Sequence, residues 1–93
     1  MMELKEVLMD IRKELRASDK YAKEAVKHKK EFPGLADVYH RIAVDNMAHA
    51  EMLGKHAKEM AEKHGMMGLW EVEDFMLRHD TNEVKRCLES YRD

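Results

Sequence analysis

From Glu3 to Lys30 the chain runs without a glycine or a proline, and Leu4, Leu8, Ile11, Leu15, Ser18, Ala22 and Ala25 recur along it at alternating spacings of four and three. That period places them all on one face of a single long helix. Lys27, His28, Lys29 and Lys30 crowd its end, where positive charge complements the exposed carbonyls. Phe32-Pro33-Gly34 then punctuates the chain, and a second uninterrupted run reaches His64, with Gly65 placed as a C-terminal cap. Each run predicts a helix roughly 40–45 Å long at about 1.5 Å per residue. A linker this short makes two such helices antiparallel neighbours. The chain is therefore all-α and built on one helical hairpin, and no segment shows the alternation of a strand.

Along the second helix the expected inward stripe is Leu35, Tyr39, Ile42, Asn46, His49, Leu53, His56 and Met60. Beside it Ala36, Ala43, Ala50 and Ala57 recur every seven residues, with Gly54 and Ala61 nearby. Small residues in such a row either let another helix approach closely or simply favour the helix. After Gly65, Leu69, Trp70, Val72, Glu73, Met76 and Leu77 suit a third helix. Asp80-Thr81-Asn82-Glu83 reads as a capping box that restarts a fourth, with Val84, Cys87, Leu88 and Tyr91 inward. The predicted helices are 3–30, 34–64, 68–79 and 81–92, within one domain spanning 1–93.

A chain of 93 residues buries a limited core, so metal, partner chains or close helix packing must add to its stability. Its single cysteine, Cys87, cannot form an internal disulfide and suits a reducing compartment. Charged residues make up 39% of the chain but leave a net charge of only −2, which argues against a strong field for nucleic acid or an anionic membrane. Glu3, Lys5, Glu6 and Asp10 break any leading apolar run, so no signal peptide is expected. No stretch approaches the ~20 apolar residues that cross a bilayer. The expected location is the cytoplasm.

The stripe of the second helix contains an anomaly. Asn46, His49 and His56 fall on consecutive positions where apolar side chains belong. Burying an amide or imidazole without a partner costs roughly 1–3 kcal/mol, so these groups need something to satisfy them. On the first helix Glu14 and Tyr21 lie at the edge of the stripe, in the series Val7, Glu14, Tyr21, His28, where they would face the Asn and His across the hairpin.

These residues resemble the ferritin-like proteins, especially the rubrerythrin type. In that family a metal-binding Glu on helix one precedes a Tyr by seven residues, as Glu14 precedes Tyr21. Helix two carries Glu-x-x-His in a stretch like Ile-Ala-x-x-Glu-x-x-His-Ala; here Ile42-Ala43-Val44-Asp45-Asn46-Met47-Ala48-His49-Ala50 keeps the frame and the His, with Asn46 in place of the Glu. The resemblance covers roughly residues 3–64. The chain is also similar to small half-ferritin proteins of bacterial and phage genomes, whose ending resembles Glu83-Val84-Lys85 to Tyr91.

The resemblance implies a four-helix bundle completed by homodimerisation, since Glu-x-x-His is supplied twice in a ferritin-like di-iron centre. It implies a metal site of Glu14 and His49, with Tyr21 and Asn46 behind them; His56, two turns beyond His49 on the same face, is expected to extend the set. A neutral amide is a poor ligand for hard iron, and Asp45 points about 100° away. The expected activity is therefore binding rather than oxidation, with zinc, manganese or iron as the divalent transition metal, or none if the polar residues are an inherited hydrogen-bond network. The alternative is an interaction protein, phage-derived, that engages a host macromolecule through its bundle surface.

The remaining features read as structural. Arg12, Arg16, Lys20, Lys23, Lys27 and Lys30 line the first helix, but Asp19, Glu24 and Glu31 interleave them and no aromatic stacks beside them, so a solvated face is expected and no nucleic-acid partner. Met9, Met47, Met52, Met66 and Met67 lie partly off the stripes and are read as core filling and bundle contacts. Cys87, among Val84, Leu88 and Tyr91, is expected to be inert. His28, His40, His64 and His79 are expected to be exposed or capping.

Overall fold

The computed structural model describes residues 3–93 and shows three α-helices: α1, Leu4–His28; α2, Pro33–Lys63; and α3, Met67–Ser90. Among the described residues there is no strand. The predicted hairpin is present and dominates the packing, and α3 runs back along one side of it. None of these helices is long and apolar enough to cross a membrane.

The expected α1 stripe is buried in full, from Leu4 to Ala25, with Val7 added to it. Its side chains shrink along the helix. Leucine and isoleucine fill the first half, and Ser18, Ala22 and Ala25 fill the half next to the turn. Opposite them α2 presents Ala36 and Ala43, both fully buried, and the Ser18 hydroxyl donates to the Ala43 carbonyl at 2.7 Å. That bond requires the two backbones to approach closely at this level. Farther from the turn, Leu4, Leu8 and Ile11 cluster with Trp70, Ala57 and Ala61, and Leu53 and Met60 pack against the same core.

Pro33 opens α2 at its first turn, where a missing N–H is harmless. At the other end Gly65 adopts φ +67°. Its N–H bonds Glu62 O, and Met66 N–H bonds Ala61 O at 2.8 Å. This is a Schellman closure, which any Cβ at residue 65 would strain.

Two expectations are corrected. The first is the α2 stripe: its buried residues are Ala36, Ala43, Met47, Ala50, Ala57 and Ala61, while Leu35, Val38 and Ile42 are exposed. The small-residue row, joined by Met47, is the core face because close approach of α1 favours methyl groups over larger side chains there. Asn46, His49 and His56 therefore sit beside the core, not in it. The second is the break between a third and a fourth helix. Asp80-Thr81-Asn82-Glu83 lies inside one continuous α3. Trp70, Leu77 and Val84 are buried every seven residues and Tyr91 follows in the same register. An unbroken helix keeps these four on one line, whereas a restart would rotate the last two off it.

Polar ties fix α3 at both ends. Arg12 pairs with Glu73 near the start of α3, Lys85 with Glu51 of α2 at 3.5 Å, and the Tyr91 hydroxyl donates to Asp37. Arg12, one member of the basic row, is thus engaged with a carboxylate of α3. The molecule measures 50 × 24 × 14 Å. It is a thin slab, with α3 covering one side of the hairpin and the other side uncovered.

Candidate functional site

On the uncovered side α1 and α2 bring three of the expected residues together. Glu14 lies on the α1 flank turned away from α3, and Asn46 and His49 lie one turn apart on the corresponding flank of α2. The Asn46 amide donates to Glu14 Oε2 at 2.8 Å, and His49 Nδ1 stands 3.5 Å from the same oxygen. Glu14 is about one-quarter exposed (28%) and His49 half exposed (55%). Asn46 Oδ1 is buried and has no hydrogen-bond partner. The cluster thus holds an acceptor waiting for a donor or a cation, and an imidazole open to whatever covers this side.

The other two expected residues are placed elsewhere. His56 is largely exposed and its Nδ1 lies 3.4 Å from Glu59 on its own helix. The Tyr21 ring stacks on Tyr39, with centroids 5.7 Å apart, and the Lys20 ammonium lies over it at 5.5 Å. Two helical turns, about 10 Å, separate Tyr21 from Glu14 along α1. Among the described residues no three His, Cys, Asp or Glu side chains converge within one chain.

Glu14 and His49 alone fit a shared ion. Two ligand atoms each about 2.1 Å from a tetrahedral zinc are separated by about 3.4 Å, and the oxygen and nitrogen here stand 3.5 Å apart. One carboxylate and one imidazole supply half of a tetrahedral set. When bound, a divalent ion in such a set acts as a structural crosslink or a Lewis acid.

Sequence reasoning passed over His40. It is half-buried rather than exposed, its ring stacks on Tyr91 with centroids 4.4 Å apart, and its Nδ1 is buried without a partner. The signal was available: His40 shares a seven-residue line with Met47, Gly54 and Ala61, immediately beside the alanine row. Tyr91 is the hub of this contact. It donates to Asp37, covers His40, and receives the Lys29 ammonium over its ring at 5.4 Å. The hydrogen bond to Asp37, followed by burial, raises the Tyr91 hydroxyl above the usual phenol range. His28 is also half-buried, 3.1 Å from Glu24 and against the rings of Phe32 and Tyr39.

Burial lowers the His40 pKa, Arg92 adds to the effect, and Asp37 opposes it. The folded state therefore prefers the neutral ring. That preference contributes fully above the unfolded value of about 6.5 and is lost as pH falls through the lower folded value. Thermal unfolding of the protein should consequently shift to lower temperature below pH ~6.5. His40→Phe, which keeps the stack and removes the titration, should flatten that part of the profile. An unchanged pH profile in the variant would assign the acid sensitivity to other groups.

A concavity of about 680 Å³ opens between α1 and α3. Leu15, Val84 and Cys87 form its floor, with Arg16 and Lys23 on one rim and Asp80 and Glu83 on the other. Burial, then Asp19, pushes the Cys87 thiol up, and Lys23 only partly offsets them. A thiol held protonated in this way is a weak nucleophile.

Comparison with family models, with curated proteins and with solved structures finds no match to this chain.

Proposed function

We propose that this is a ferritin-like helical binding protein that pairs with itself through the uncovered side of its hairpin, holding a divalent transition metal between Glu14 and His49 of two copies. The observation that supports this reading is a polar pair at ligand spacing set among exposed apolar side chains. Glu14 and His49 stand 3.5 Å apart, and Leu35, Val38 and Ile42 lie exposed on the same flank of α2. Pairing covers that flank and completes a four-helix bundle. Two carboxylates and two imidazoles then make a tetrahedral set suited to zinc, with manganese or iron as competitors. Asn46 in place of a bridging carboxylate removes the ligands a di-iron oxidase needs, so the role is binding and not oxidation.

Sedimentation of natively purified protein, combined with metal analysis, tests this directly. The expected result is a self-associated protein with one metal per two chains, whose unfolding temperature rises with added zinc because the ligand binds only the folded form. Glu14→Gln and His49→Leu should each abolish the zinc response while leaving helix content unchanged. A monomer at tens of micromolar that ignores zinc would remove the proposal. The alternative, an interaction protein of phage origin, uses the same apolar flank to receive a helix of a host protein. It is favoured if the metal-free chain forms a stoichiometric complex that Ile42→Glu disrupts.

A further inference from the structure

The outer face of α3 carries a second apolar surface. Leu69, Val72, Phe75 and Met76 are all exposed, Phe75 by 79%. Trp70, Leu77 and Val84 define the inward line of this helix, and Val72 and Phe75 lie about 140–160° around from it. This surface is on the opposite side of the slab from Glu14 and His49. Glu71 and Asp74 border it, so an anionic bilayer is a poor occupant.

Beside this surface Glu71 and Asp74 precede Arg78, while Asp80, Glu83, Lys85, Arg86 and Glu89 mix both signs farther along α3. Glu71 and Arg78 are seven residues apart and so lie on the same flank of the outer face. When two identical helices pack antiparallel, the two-fold axis runs across both of them and sets like flanks against each other. Glu71 of one copy then meets Arg78 of the other, and the match occurs twice. A parallel pair would set this flank against the Leu69–Met76 flank instead. Arg78 bonds Asp74 through Nε at 2.8 Å, which leaves its terminal nitrogens for a second carboxylate.

We infer that α3 is an interaction surface for α3 of a second copy, antiparallel, with Val72, Phe75 and Met76 buried between them and Glu71 matched to Arg78 across the two-fold. This pairing is independent of the metal reading, because the two surfaces lie on opposite sides of the molecule and answer to different substitutions.

The experiment uses the full chain in an Ile42→Glu background, which removes pairing through the α2 flank, and follows sedimentation velocity over a concentration series. The background protein should still dimerise. Adding Glu71→Arg alone, or Arg78→Glu alone, places like charges together twice and should weaken pairing about tenfold or more. Mixing these two proteins in equal amounts should restore a dimer, because a chain with arginine at both positions then faces a chain with glutamate at both. Phe75→Ser should weaken pairing without changing the circular dichroism spectrum. A monomeric background protein, single reversals that pair as well as the background, or a mixture that stays monomeric would each overturn the inference.

Discussion

Replacing Ala43 with leucine should lower stability by about 3 kcal/mol or more, because overpacking a filled core forces side chains off their rotamers and moves backbone. Ala43 is fully buried, and its carbonyl accepts the Ser18 hydroxyl across the narrowest part of the hairpin. Three added carbons have no space unless α1 and α2 separate and break that bond. For a domain with about 5–15 kcal/mol in total, the loss should appear as a fall in unfolding temperature of more than about 10 °C. The neighbouring Ile42→Ala should cost less than about 1 kcal/mol when measured at a dilution that keeps the chain monomeric, since Ile42 is 37% exposed. Thermal unfolding of both variants checks the pair. If Ile42→Ala proves the costlier change, the core face of α2 is the larger-residue stripe and the packing described above is wrong.

The second large effect is expected from Asn46→Glu. In the present chain the Asn46 amide donates to Glu14 Oε2. A glutamate there replaces that donor with a second carboxylate beside the first, and like charges sharing a confined site raise one another's pKa and weaken the fold. The metal-free variant should therefore unfold at lower temperature than the parent. In a dimer it also supplies four carboxylates and two imidazoles, the set a two-metal centre requires. Iron or manganese at about a hundred times the dissociation constant should return about 2.7 kcal/mol, more than the parent gains under the same conditions. His49→Leu in the variant should reduce that gain. A variant whose unfolding is indifferent to both metals would show that Asn46 and His49 are hydrogen-bonding residues of the bundle edge and nothing else.

Large side chains made α1 legible. Its leucines and isoleucine follow the helical period without competitors, and the small residues that continue the line are buried as well. Gly65 was equally readable, because the left-handed backbone it adopts has few other residue choices. The α2 face was not, for a physical reason: ranking by hydrophobicity selects Ile42 and Leu53 over Ala43 and Ala50, whereas the closeness of α1 selects by size. That single reversal moved Asn46, His49 and His56 from the core to its edge and left His40 read as exposed or capping when it is half-buried against Tyr91. The continuity of α3 was obscured in a different way. Asp80-Thr81-Asn82-Glu83 has the composition of a helix start, but its backbone groups are already bonded within the helix, and the line from Trp70 through Leu77 and Val84 to Tyr91 holds it straight. The contact between Glu14 and Asn46 across the hairpin was visible from spacing alone. The separation of His56 and Tyr21 from it was not, because spacing along one helix says nothing about where the neighbouring helix stops facing it.

The taper of the α1–α2 seam bears on how the chain assembles. Its fully buried alanines next to the turn, Ala25 and Ala36, are also those with the shortest intervening chain, and the entropy lost in closing a loop grows with the logarithm of its length. Zipping from the turn therefore meets the smallest entropic cost where α1 carries its smallest side chains, and beyond Ser18 it brings in the leucines and Ile11. The seven-residue line of α3 closes onto partners much farther back in sequence, so its docking carries the largest closure cost. The alanine end thus sets the register of the hairpin, and the leucine end, with Trp70, supplies most of the apolar burial that α3 joins.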